Sequence, residues 1–263
     1  MKRRQEWAGR ILLERTQHAD ASFVTLTYED KHLTYSGAAG LPSLYPRDLT
    51  LYLKTLRHRF RTPFRYFACG EYGSDTKRPH FHVVLFGQEE VYDEHKISQT
   101  WGKGSVKLSE LNTVRAKYVA KYTTKKQTSQ DAYSDGRAPE FSRMSRKPGV
   151  GLTVIPKIAA SLKRCGYTYS NGRLRGLTTN LTPITIPECY RYNNKLWPLD
   201  PYMKKLLKKE LLNSDECLPE AVINMVTNLT ADNTLEIFKE TEAHLSSIQR
   251  AKNYEQRYKK SRL

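Results

Sequence analysis

A chain of 263 residues can bury a sizeable core, as one large domain or one domain with an appended piece. Its 44 Lys+Arg against 27 Asp+Glu give a net charge of +17, a field that attracts polyanions, nucleic acid foremost. No stretch approaches the roughly 18–20 apolar residues that span a bilayer, and no apolar signal-peptide run follows the basic start, so a soluble intracellular protein is expected.

Taken in chain order, KRRQEWAGRILLER (2–15) predicts a helix with Trp7, Ile11 and Leu12 as its apolar stripe. FVTLTY (23–28) alternates and is β-branched, a strand, and GAAGLPSLYP (37–46) carries loop signals. Leu49, Leu53, Leu56 and Phe60 recur at helical spacing, with Lys54, Arg57, His58 and Arg59 on the outer face. PFRYFACGEYG (63–73) and RPHFHVVLFG (78–87) read as a β-hairpin across the polar turn GSDTK. A short helix (95–102) and a short strand (105–110) follow, and Asn112 is placed to cap a helix over 113–126.

Residues 127–150 read as an exposed basic loop, 151–200 give mixed signals, and helical patterns return beyond 200. The expected architecture is α+β: a small antiparallel-sheet palm with helices on one face, the other face left for a substrate, and a C-terminal helical appendage. The expected division is 1–160 for the palm and 161–263 for a mixed, then helical, region. The four cysteines, Cys69, Cys165, Cys189 and Cys217, form no C-x-x-C pair and are expected to be reduced thiols.

Two constellations carry chemistry. Strand alternation sends His80, His82, Val84 and Phe86 to one face, so two imidazoles stand side by side at one end of an apolar strand. Glu71, on the neighbouring hairpin strand, lies at the right level to add a carboxylate. Two imidazoles and one carboxylate leave coordination positions open, as a catalytic divalent metal needs. Two hydrogen-bonded structural histidines are the plainer reading, weakened by the carboxylate beside them.

The second constellation is KYVAKYTTKK (117–126). Tyr118 and Tyr122, four residues apart, share a helix face, with Lys117, Lys121 and Lys125 along a cationic edge. A phenol with pKa near 10 is a poor nucleophile unless its phenolate is favoured, which ammonium groups and a polarised phosphate would do. By spacing alone the tyrosines are equally amphipathic core-edge residues.

Together, FVTLTYEDKHL, GEYG…RPHFH, YVAKYTTKK and EFSRMSRKPGVG resemble the HUH superfamily of single-stranded-DNA endonucleases. More closely, they look like the replication initiators of the microviruses, in the gokushovirus branch. The resemblance covers residues 1–160. It implies a ferredoxin- or RRM-like HUH core, and a rolling-circle initiator that nicks an origin strand, becomes joined to its 5′ phosphate and later reseals it.

The implied catalytic residues are Tyr118, Tyr122 and Lys121, with His80, His82 and Glu71 holding Mg²⁺ or Mn²⁺. The implied setting is a host bacterial cytoplasm, with a host helicase and polymerase as partners and no membrane. No G-x-x-x-x-G-K-[ST] is present, so no nucleotide cofactor is expected. Lys54, Arg57, Arg59, Lys125, Arg143, Arg146 and Lys147 are candidates for contacts to single-stranded or origin DNA. A plasmid-type initiator, a single-tyrosine transposase and a non-catalytic RRM-like binding module remain open as alternatives.

Overall fold

A computed structural model of the chain describes residues 2–36, 40–87, 89–124, 135–164, 168–170, 173–175 and 186–212. The chain divides into two units, Met1–Val154 and Ile155–Leu263. The first is built on a five-stranded antiparallel sheet in the order β6-β1-β5-β4-β7, from β1 (Asp20–Thr27), β4 (Arg65–Tyr72), β5 (Pro79–Gly87), β6 (Val106–Glu110) and β7 (Phe141–Met144). The remaining elements of this unit are α1 (Lys2–Arg15), the hairpin β2 (Thr34–Ser36) and β3 (Leu41–Ser43), α2 (Pro46–Arg59), α3 (Glu94–Trp101) and α4 (Thr113–Ala120).

The α+β expectation holds, with β5 at the centre of the sheet and buried on both faces. On one face Val24, Leu26, Phe81, Val83 and Leu85 pack with Leu49, Tyr52, Leu53 and Leu56 of α2 and with Ile97 and Trp101 of α3. Burying each such side chain contributes about 1.5–3 kcal/mol, which makes this layer the foundation of the unit. Pro46 opens α2, where a missing N–H costs nothing. Asp93 caps α3 by accepting from the Lys96 amide, and left-handed Gly102 ends it.

The opposite face carries Phe67, Val84 and Phe86, all fully buried, and is not left open along its length. Helix α1 lies over part of it: the Trp7 ring sits 6.1 Å from that of Phe67, and Glu14 pairs with Arg65 of β4. Arg4 Nε donates to the Lys117 carbonyl at 2.9 Å, tying α1 to α4. What remains of this face is the end that carries His80.

Two segments differ from expectation. The stretch read as loop over 37–46 contributes β3, paired with β2, strands of three residues each and too short to show a period. The 127–150 loop contains β7, an edge strand paired with β4. After β7 the turn is clamped to α1 and β4: Arg10 Nε donates to the Val150 carbonyl at 2.8 Å, Arg65 Nη2 to Pro148 at 2.7 Å, and the Gly151 amide to Glu14 Oε2 at 2.6 Å. Gly151 has φ +76°, and a Cβ there would stand 2.6 Å from the Arg10 carbonyl oxygen, so only glycine fits.

Glu14, wholly buried, is the hub of this clamp. Burial alone raises its pKa, but hydrogen bonds from His18, the Gly151 amide and Arg65 outweigh that and hold it below its ordinary 4.5. A depressed carboxylate contributes stability that is present above the unfolded value and is lost as pH falls through the folded one. The thermal midpoint should therefore drop as pH falls below about 4.5. Glu14→Gln should be destabilised by ~3 kcal/mol at neutral pH and show a flatter acid limb, as measured by thermal unfolding against pH.

The second unit contains α5 (Ile155–Arg164), the hairpins β8 (Thr168–Ser170) with β9 (Arg173–Arg175) and β10 (Cys189–Tyr192) with β11 (Lys195–Pro198), and α6 (Pro201–Leu212). Asp200 caps α6, accepting from the amides of Tyr202 at 2.8 Å and Met203 at 3.0 Å. Trp197, Met203, Leu207 and Leu211 are buried. Helix α6 opens where helical patterns were expected to return; the later helical segments, beyond 212, lie outside the described residues. Among the described residues no helix is long and apolar enough to cross a membrane.

Candidate metal and nucleophile centre

The β4–β5 register sets Glu71 directly opposite His80 and Cys69 opposite His82, so both imidazoles and the carboxylate project from one face at one end of the sheet. Their ligating atoms all lie within 4.8 Å of one another. Glu71 Oε1 sits 2.6 Å from His80 Nε2 and 2.8 Å from His82 Nε2, and it also accepts from the Tyr118 hydroxyl of α4. Three groups thus converge on one carboxylate oxygen. The other oxygen, Oε2, is buried with no hydrogen-bond partner. Leaving such an atom unsatisfied costs about 1–3 kcal/mol.

Each imidazole is oriented from behind. The carbonyl of Arg78 lies 3.2 Å from His80 Nδ1 and, being an acceptor, requires a proton there. With Nε2 also donating to Glu71, the ring is held as imidazolium. Burial lowers the pKa of His80, but the Glu71 and Arg78 hydrogen bonds outweigh it and raise the value above the ordinary 6.5. His82 Nδ1 stands 3.0 Å from Thr25 Oγ1, its cross-strand neighbour on β1. Arg78 is itself anchored, through Asp30 Oδ1 at 2.6 Å and the Tyr28 carbonyl at 2.9 Å.

Burial pushes the Glu71 pKa up, yet the hydrogen bonds from His80, His82 and Tyr118 prevail and hold it down at about 2. For Tyr118 all the influences act in one direction: burial, then the hydrogen bond to Glu71 and its charge, raise the phenol well above the ordinary 10. The Glu71 carboxylate is ionised at neutral pH, and the phenol keeps its proton.

The tyrosine segment departs from the expected helix. Helix α4 ends at Ala120 and tightens into a 3₁₀ turn over Lys121–Thr123. Thr123 Oγ1 donates to the Ala120 carbonyl at 2.7 Å and Thr124 Oγ1 to Lys121 at 2.9 Å, so two hydroxyls compete for the carbonyls that would continue the helix. Asn112 caps the start as expected, accepting from the Arg115 amide at 2.9 Å. Tyr118 is 38% exposed, with its ring 5.1 Å from that of His82, while Tyr122 is only 4% exposed, its ring 5.9 Å from that of Tyr118. Lys121 is exposed, its ammonium 5.5 Å above the Tyr122 ring.

The basic candidates scatter. Lys54, Arg57 and Arg59 lie on the outer side of α2, the layer behind the other sheet face. Arg57 sits over the rings of Phe64 and Tyr66, and Arg59 donates to Gln99. Arg143 donates to the Pro46 carbonyl and Thr50 Oγ1, on the α2 side of β7. Arg146 and Lys147 are exposed in the turn after β7, near the Arg65 end of β4 and six residues along that strand from Glu71, roughly 20 Å. Lys125 lies outside the described residues.

Sequence reasoning missed Lys107, exposed on the face of His82 because both pair with Thr25 from opposite sides. It also missed Arg115, whose guanidinium stands 5.9 Å over the Phe23 ring. The alternation in FVTLTY was the available signal for Thr25. For Lys107 the short β6 offered none.

Residues 21–127 match the family of Replication-associated protein ORF2. That span belongs to this family. Glu71, His80, His82, Tyr118 and Tyr122 all fall inside the ORF2-family span. The chain is 37% identical over 166 residues to the Replication-associated protein ORF2 of Spiroplasma virus 4, covering 56% of this chain and 51% of that protein. It is 29% identical over 185 residues to the Replication-associated protein VP4 of Bdellovibrio phage phiMH2K, covering 62% and 56%. With the Replication-associated protein ORF4 of Chlamydia phage 1 it shares 26% over 147 residues, covering 48% and 35%. The chain thus spans about half the length of the first two curated relatives and less of the third. No solved structure matches.

Proposed function

We propose that this chain is a rolling-circle replication initiator that nicks single-stranded DNA through a 5′-phosphotyrosine intermediate, with catalysis in residues 1–160 and a separate role for 161–263. The observation that carries this reading is the convergence of His80, His82 and the Tyr118 hydroxyl on one oxygen of buried Glu71. A nucleic-acid-binding module without chemistry would ask for stacking aromatics there.

The residues fit a divalent cation. The orphaned Glu71 Oε2, the compact donor set and the rear contacts that orient both imidazoles are what a ligand set requires. A mixed donor set of two nitrogens and one oxygen suits Mn²⁺ better than Mg²⁺, which prefers oxygen throughout. When bound, such an ion supplies Lewis-acid polarisation of a phosphate oxygen.

The remaining chemistry belongs to the chain. In the metal-free protein burial and the Glu71 carboxylate hold the Tyr118 phenol protonated; a Glu71 committed to a cation no longer opposes the phenolate. Tyr118 Oη bonds to phosphorus as the bond from phosphorus to the 3′ oxygen breaks. The phenolic proton leaves, the 3′ oxygen gains one, and the 5′ phosphate stays on the tyrosine. The bond energy kept in the phosphotyrosine allows rejoining without ATP. Lys107 and Arg115 flank the site and are placed to neutralise strand phosphates. The freed 3′ hydroxyl would prime a host polymerase, with unwinding supplied by a host helicase.

The burial of Tyr122 favours a second reading, in which Tyr118 alone carries the first cut and Tyr122 acts later or only packs. The test is nicking of circular single-stranded DNA with and without EDTA. Metal-dependent linear product is expected; binding without cleavage under Mg²⁺ or Mn²⁺ would favour the binding module.

A further inference from the structure

Glu140 has no part in the chemistry above, yet it is 6% exposed and stands beside the centre. It immediately precedes β7, whose register sets Phe141 opposite Gly70. Phe141 packs toward the α2 layer, so close to Gly70 that a Cβ there would meet its ring at 2.7 Å. Alternation then turns Glu140 to the other face, next to Glu71 and across it from His80. The Tyr72 amide donates to Glu140 Oε1 at 3.2 Å and holds the carboxylate in place. Its charge is felt at both His80 and Tyr118.

A chain of net charge +17 repels cations at long range, and Glu71 is the single anion in the ligand set. With both imidazoles neutral, Glu71 and Glu140 together supply two negative charges, the number that balances a divalent ion. We propose that Glu140 is the second carboxylate of the centre, a positioning residue outside the three ligands that strengthens divalent-cation binding through its charge. This inference rests on the metal reading of Glu71, His80 and His82.

The experiment is a Mn²⁺ titration of the full chain followed by electron paramagnetic resonance, comparing wild type, Glu140→Gln and Glu140→Asp. Glutamine keeps an acceptor for the Tyr72 amide, and circular dichroism with thermal unfolding verifies the fold. Glu140→Gln should bind Mn²⁺ about 10–100-fold more weakly, and Glu140→Asp should recover most of the loss. Equal affinity in wild type and Glu140→Gln, or an aspartate variant as weak as the glutamine one, would overturn Glu140's role alone. No Mn²⁺ binding by the wild type would remove the metal reading together with it.

Discussion

Tyr118→Phe is expected to abolish the covalent protein–DNA adduct and lower cleavage on the order of 10⁴-fold or more, because the variant lacks the attacking oxygen. The fold should be unaffected, since the Tyr118 ring is partly exposed and phenylalanine keeps its edge contact with His82. Metal affinity should hold or rise, because Glu71 loses a competing donor. Tyr122→Phe should leave the first cut intact: that ring is buried in a 3₁₀ turn, one step behind Tyr118. If Tyr122 is the second nucleophile, its variant fails only at rejoining. Single-turnover cleavage and rejoining assays on each variant separate these steps. Full cleavage by Tyr118→Phe would refute the nucleophile assignment.

His80→Ala and His82→Ala are expected to lose metal binding by more than the ~10–100-fold typical of changes to groups behind the ligands, and to lose cleavage with it. Wild-type affinity should also fall with acidification. His80 has a pKa raised above 6.5 in the metal-free chain, so a cation must displace its Nε2 proton, and binding weakens as pH drops below that raised value. Calorimetry in buffers of different ionisation enthalpy should register the released proton. Affinity that is flat from pH 8 to about 5.5 would argue against imidazole ligation at His80.

Both constellations lay within single elements or adjacent strands, which is why they were legible. Alternation in RPHFHVVLF fixes which face carries His80 and His82, and the short polar turn before it fixes Glu71 beside them. The four-residue spacing of Tyr118 and Tyr122 did bring their rings together, although helical periodicity could not reveal that Thr123 and Thr124 would turn on the backbone and bury one of them.

What sequence reasoning could not reach were the pairings between distant segments. Glu140 sits in a stretch rich in Ser, Gly and Arg that reads as loop, and only its alignment beside β4 brings it to Glu71. Lys54, Arg57 and Arg59 look like a ready phosphate-binding stripe, yet α2 packs behind the sheet face away from the centre. A net charge of +17 predicts a polyanion partner without saying which of its cations meet it.

The central claim is that Tyr118 attacks a phosphate held at Glu71, His80 and His82. It is tested most directly by mapping the adduct. The full chain is incubated with Mn²⁺ and a library of single-stranded oligonucleotides, digested with protease, and the DNA-linked peptide is identified by mass spectrometry. The account predicts a 5′-phosphodiester on Tyr118 that disappears with EDTA and in His80→Ala. A linkage to a residue outside Tyr118 and Tyr122, or an adduct that persists without the histidines, would contradict it.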